Sequence, residues 1–134
     1  MADHDNSRER FLALAEAAIG GHDFIVALLA ELPIPIVVPD IVQATDENPG
    51  ECLEALNRAL DLIEDEPVSD SVKGAYQHMI LDWLGAYEIL ALIKVAGPAP
   101  WRLAVVESLL NQMVTWIEMI EDPHLDDDLD DDQS

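Results

Sequence analysis

The chain has little with which to balance its own acidity. Two lysines and four arginines stand against 28 aspartates and glutamates in 134 residues, a formal net charge of −22. Such a surface repels nucleic acid and anionic lipid, which argues against direct nucleic-acid or membrane-surface binding and in favour of basic partners. There is one cysteine, Cys52, so no internal disulfide forms and a thiol-based zinc site is out of reach. The start, Met1-Ala2-Asp3-His4-Asp5, lacks the basic segment and apolar run of a secretion signal. The most apolar stretch, 79–97, is broken by Asp82, Glu88 and Lys94, too charged for a bilayer span. Neither a phosphate-binding glycine loop nor a serine-nucleophile motif is present. The expectation is a soluble, cytoplasmic protein that is not an enzyme and carries no cofactor.

What the chain does have is apolar content: 50% of its residues, enough for a self-sufficient core at this length. Charge and hydrophobicity are segregated. Residues 79–117 hold three acids (Asp82, Glu88, Glu107) and two bases (Lys94, Arg102), while the remainder holds 25 acids and four bases. An anionic shell around a nearly neutral helical centre follows. The domain reading is a helical bundle over 1–121 and an acidic tail over 122–134.

Periodicity predicts an all-α fold, a single compact bundle of about five helices with a Pro-rich extended strap and a flexible acidic C-terminal tail. Asn6 and Ser7 cap the first helix, whose inner face is Phe11, Leu14, Ala15, Ala18 and Ile19. Gly20-Gly21 is expected to stop it, and Asp23 to cap a short second helix over 24–32. Prolines 33, 35 and 39 then bar helix and leave either a buried strap or an apolar strip for a partner. Asp40 starts one further helical turn to Ala44. Asn48-Pro49 opens the third helix, with Cys52, Leu56, Ala59, Leu60 and Ile63 inward and Arg58 placed to pair Glu54.

Ser69 or Ser71 caps the fourth helix, which runs to about Ala96 and is apolar on most sides, and Gly97-Pro98-Ala99-Pro100 ends it and restarts the chain. The fifth carries Leu103, Val106, Leu110, Met113, Ile117 and Ile120 at 3-4-3-4-3 spacing, which suits a bundle core or a dimer seam.

Chemical motifs are sparse. The tail aspartates 126, 128, 130 and 132 alternate, but the sixth position of a calcium loop is Asp131 rather than glycine, and no twelfth-position glutamate follows. His78 and Asp82 lie one helical turn apart and are expected to hydrogen-bond; with no third ligand near, no metal site is assigned. Cys52 reads as a small buried side chain, since no histidine has a defined place beside it. Asp82 and Glu88 read as the narrow polar edge of the fourth helix.

The leading functional reading is a non-catalytic acidic protein that engages a basic protein surface, such as an inhibitor imitating nucleic acid to block a defence or regulatory complex. Its binding residues would be Glu51, Glu54, Asp61, Glu64, Asp65 and Glu66 on the third helix and the turn after it. The alternative is a helical adaptor, chaperone or immunity-type protein, or a homodimer, acting through apolar surface on the fourth and fifth helices. A high-salt interior is a third source of the same acidity, although the many Ile and Leu residues run against it.

Overall fold

The computed structural model describes residues 2–39 and 49–122, with side chains placed over 6–39 and 52–122. Among these residues there are four helices and no strand: α1 (Ala2–Ala30), α2 (Pro49–Glu64), α3 (Asp70–Ala96) and α4 (Pro100–Glu121). Helix α3 is central, packing against the other three, and α1 also packs against α4. The turn expected over 40–44, the Asn48 cap and the acidic tail beyond Asp122 lie outside the described residues.

The five-helix expectation is corrected to four because Gly20-Gly21 does not interrupt α1. A helical glycine costs about 1 kcal/mol relative to alanine. That is small beside the burial of His22, Ile25, Leu28 and Leu29 on the following turns, each large apolar member contributing roughly 1.5–3 kcal/mol. Gly21 also has a packing role. A Cβ there would lie 2.5 Å from Met113 Cε and 3.7 Å from Trp83 Cδ1, whereas one on Gly20 would meet nothing within 4 Å. One glycine lets helices approach; its neighbour does not.

Local chemistry sets the other boundaries. The Ser69 hydroxyl accepts from Val72 N–H at 3.3 Å, making Ser69 the N-cap of α3. Gly97 ends that helix with φ +101°, a backbone angle that favours glycine, and its N–H donates to Ile93 O at 2.8 Å. Pro100 opens α4, where its missing N–H goes unneeded. Arg102 on α4 reaches back to Gly97 O (3.1 Å) and Ala96 O (3.4 Å), setting a cation on the carbonyl end of α3.

The core gathers most of the predicted inner faces, although on α1 Ala18 is buried, Phe11, Leu14 and Ala15 are half-buried and Ile19 is exposed. Leu103, Val106, Leu110, Met113 and Ile117 of α4 are all buried, as are Cys52, Leu56, Ala59 and Ile63 of α2 and Met79, Ile80, Trp83, Ala86, Leu90 and Ile93 of α3. Trp83 is fully buried and its indole N–H donates to Ala18 O at 2.8 Å, tying α3 to α1. After α1 the chain runs without helix over 31–39, burying Leu32, Ile36 and Val38 while Ile34 and Val37 face solvent.

Residues 6–30 and α4 are long and apolar enough to cross a membrane by length and composition. The first carries Asp23 among its central turns, and an aspartate at mid-bilayer costs roughly 2.5–3.5 kcal/mol.

The two glycines should respond oppositely to the same change. Gly20→Ala gains helix propensity at no steric cost and should stabilise by about 0.5–1 kcal/mol. Gly21→Ala must displace the Met113 methyl and should forfeit most or all of that gain, as urea denaturation of the two variants would read.

Candidate functional site

Helix α2 carries the predicted acidic residues, but they do not form one cluster. Glu54, Asp61, Glu64 and Asp65 are exposed. Glu54 and Asp61, seven apart on α2, share one outward stripe, and Asp65 follows in the turn after the helix. Arg58 lies on the same stripe, yet among the described residues the ion pair present is Arg10–Glu107 at 2.6 Å, not Arg58–Glu54. Glu64 turns toward α3 and accepts from Gln77 Nε2 at 2.7 Å. The side chain of Glu51 lies outside the described residues.

Glu66 is placed differently from the other five. It is 3% exposed, and its carboxylate accepts the Ile34 N–H at 2.9 Å. The acid that looked like part of a binding patch thus pins the 31–39 segment to the end of α2. Tyr76 completes this corner: its hydroxyl donates to Leu28 O at 3.3 Å, and burial, with Glu31 and Glu66 adding to it, pushes the phenol above its ordinary range. Removing the acceptor strands a part-buried amide, so Glu66→Ala should cost about 1–3 kcal/mol. Glu66→Gln keeps a carbonyl oxygen for Ile34 and should cost markedly less in thermal unfolding.

A histidine does stand beside Cys52. The sulphur lies 3.2 Å from His22 Nε2, thirty residues away in sequence, and the thiol also donates to Pro39 O at 3.1 Å. His22 tilts against Trp83 with ring centroids 5.0 Å apart. Both members of the pair are 0% exposed. A reacting atom would have to come within about 3 Å of the sulphur, which this burial prevents without opening the fold. The pair is a polar contact inside the core. Among the described residues no group of three or more His, Cys, Asp or Glu side chains is arranged to hold a metal.

The outer side of the α3–α4 hairpin is the most unusual surface. Leu81, Leu92 and Val95 of α3 and Trp101, Val105 and Met119 of α4 are all exposed, Val95 by 88% and Trp101 by 59%. Leu84, Ile89, Leu109 and Trp116 of the same two helices are half-buried and pack against the core. Gly85 keeps the helices close, since a Cβ there would sit 3.2 Å from Leu109 Cδ1. Glu88 is exposed on this face, as the polar-edge reading requires; Asp82 is half-buried.

The expected His78–Asp82 hydrogen bond does not form. His78 stacks on Trp116 instead, centroids 4.8 Å apart at 13°, because an aromatic plane on the neighbouring helix offers more contact than a carboxylate on its own. Asp82 Oδ2 is buried with no hydrogen-bond partner, and Lys73, Lys94 and Arg102 make no ion pair with it among the described residues. Burial therefore raises the Asp82 carboxyl above its ordinary range, opposed by the Trp116 side chain and by nearby His78.

A raised carboxyl pKa means the folded state holds its proton more tightly than the unfolded chain. Stability then falls as pH rises from the ordinary carboxylate value through the raised one, and stays low above it. Asp82→Asn removes that loss. Its melting temperature should exceed that of the parent at neutral pH by on the order of 2 °C, and the difference should vanish at about pH 3, below both values.

Comparison with protein families, curated proteins and solved structures finds no match to this chain.

Proposed function

We propose that the chain is a non-catalytic helical binding protein that engages a partner protein through the outer face of the α3–α4 hairpin. The observation that carries this reading is the apolar strip of Leu81, Leu92, Val95, Trp101 and Val105, exposed on a chain of net charge −22. Large apolar side chains are what soluble chains normally hide, and where several are exposed on one pair of helices they mark a contact site. The partner is of a particular kind. Two copies at −22 each repel one another, so a neutral or basic partner is favoured over a second copy of this chain. An amphipathic helix with basic flanks would lay its apolar side along the strip and one cation toward Glu88, the acid exposed on this face.

A second reading rests on the exposed Glu54, Asp61 and Asp65 of α2 and the turn after it, which would imitate nucleic acid and block the basic groove of a defence or regulatory complex. Charge density ranks it lower. From Glu54 to Asp65 is roughly 17 Å along a helix rising about 1.5 Å per residue. A duplex sets about ten phosphates in that length, whereas α2 and the turn after it set these three carboxylates there with Arg58 among them.

A synthetic basic amphipathic helix of leucine and lysine, titrated against the protein while Trp101 and Trp116 fluorescence is followed, separates the readings. Saturable binding should survive 0.5 M salt to within about tenfold and fall by at least that factor in Leu92→Glu/Val95→Glu. Binding abolished instead by Glu54→Gln/Asp61→Asn/Asp65→Asn, with a steep salt dependence, would transfer the function to α2. A dimer found by light scattering without peptide would assign the strip to a second copy.

A further inference from the structure

Between α1 and α3, away from the α3–α4 outer face, lies a cleft of about 140 Å³. Its walls include Phe11 and Ala18 from α1 and Trp83, Tyr87 and Ala91 from α3, with Lys94 at one end. The alanines leave the hollow, and aromatic rings line it. Trp83 cannot swing to fill the space, because its indole N–H is held by Ala18 O at 2.8 Å and its ring stacks on Tyr87 at 5.3 Å and 25°. A cavity of roughly 150 Å³ with apolar walls accepts a single benzene ring, so the space matches one six-membered ring against the half-buried rings of Phe11 and Tyr87, with buried Trp83 holding the floor beneath them.

The cation is the second half of the argument. Among the six lysines and arginines, Arg10 pairs with Glu107, and Arg102 serves the end of α3 while lying 4.9 Å from the Trp101 ring. Lys94 forms no ion pair among the described residues. Its last-turn position suits the helix dipole, and it also places an uncommitted ammonium beside an apolar hollow. On so acidic a chain an anion approaches only where a local cation meets it, and one ammonium offsets one carboxylate.

The geometry points to a binding site for a small aryl monocarboxylate, ring against the half-buried Phe11 and Tyr87 and carboxylate on Lys94. The proposal stands independently of the α3–α4 contact face.

Phenylacetate, with the neutral phenylacetamide as its isostere, tests it by following the Trp83 indole N–H cross-peak in NMR. Phenylacetate should shift that peak saturably with an affinity on the order of 1 mM, a magnitude suited to so small a ligand. Phenylacetamide should bind at least fivefold more weakly. Lys94→Met should reduce phenylacetate affinity to that of the amide. Ala91→Phe, at an exposed position, should abolish the shift by filling the hollow while circular dichroism shows helicity unchanged. Absence of a saturable shift at about 10 mM would overturn the site. So would equal affinity for acid and amide, or undiminished binding by a folded Ala91→Phe.

Discussion

The indole of Trp83 is the joint on which three helices close. Its N–H reaches into the side of α1 for the Ala18 carbonyl, its ring contacts His22 of the same helix, and Gly21 lies close enough that a Cβ would touch it. Met113 of α4 presses on the same glycine. Burying an indole contributes several kcal/mol, but only if its donor is satisfied. A carbonyl with two lone pairs can serve its own helix and accept one further bond. The position of Trp83 thus depends on α1 passing unbroken through its glycine pair, and α1 depends on that packing to offset the two glycines.

Segregation of charge follows the same geometry. The helices meeting at this joint are apolar where they touch, so the acids are expelled to α2 and to the outer faces. Glu66 is the exception that clarifies the rule: it is tolerated inside because a backbone amide meets it. Asp82 is the opposite case, a partly buried carboxylate whose second oxygen has no partner. Burial outweighs the Trp116 and His78 side chains that favour its charged form, so this acid is a net cost to the fold at neutral pH.

Much of the fold was legible because helical periodicity is a local signal. The 3-4-3-4-3 stripe of α4 names its buried residues one after another, and the cap chemistry at Ser69 and Gly97 marks real boundaries. The errors arose where tertiary packing outweighed local propensity. Gly20-Gly21 reads as a stop because nothing nearby in sequence tells that Met113, ninety-two residues away, lies against Gly21. The Cys52–His22 contact bridges thirty residues, and no spacing rule links them. Glu66 stood in a run of exposed acids, and only the path of residues 31–39 turned it inward. The apolar outer face of α3 was hardest to assign. Leu81, Leu92 and Val95 have the composition of core residues, and composition does not say on which side the neighbouring helices lie.

The commitment of Arg10 and Arg102 on a chain with so few cations has a thermodynamic consequence. With Arg10 held by Glu107 and Arg102 facing the carbonyl end of α3, most carboxylates have no cationic side chain to neutralise them. Mobile ions from solution must do so, gathering around the molecule as they do around a polyelectrolyte. A basic partner docking as proposed would set some of those ions free. Part of the drive to associate would then be the mixing entropy of released salt, a contribution that belongs to no contact in the interface.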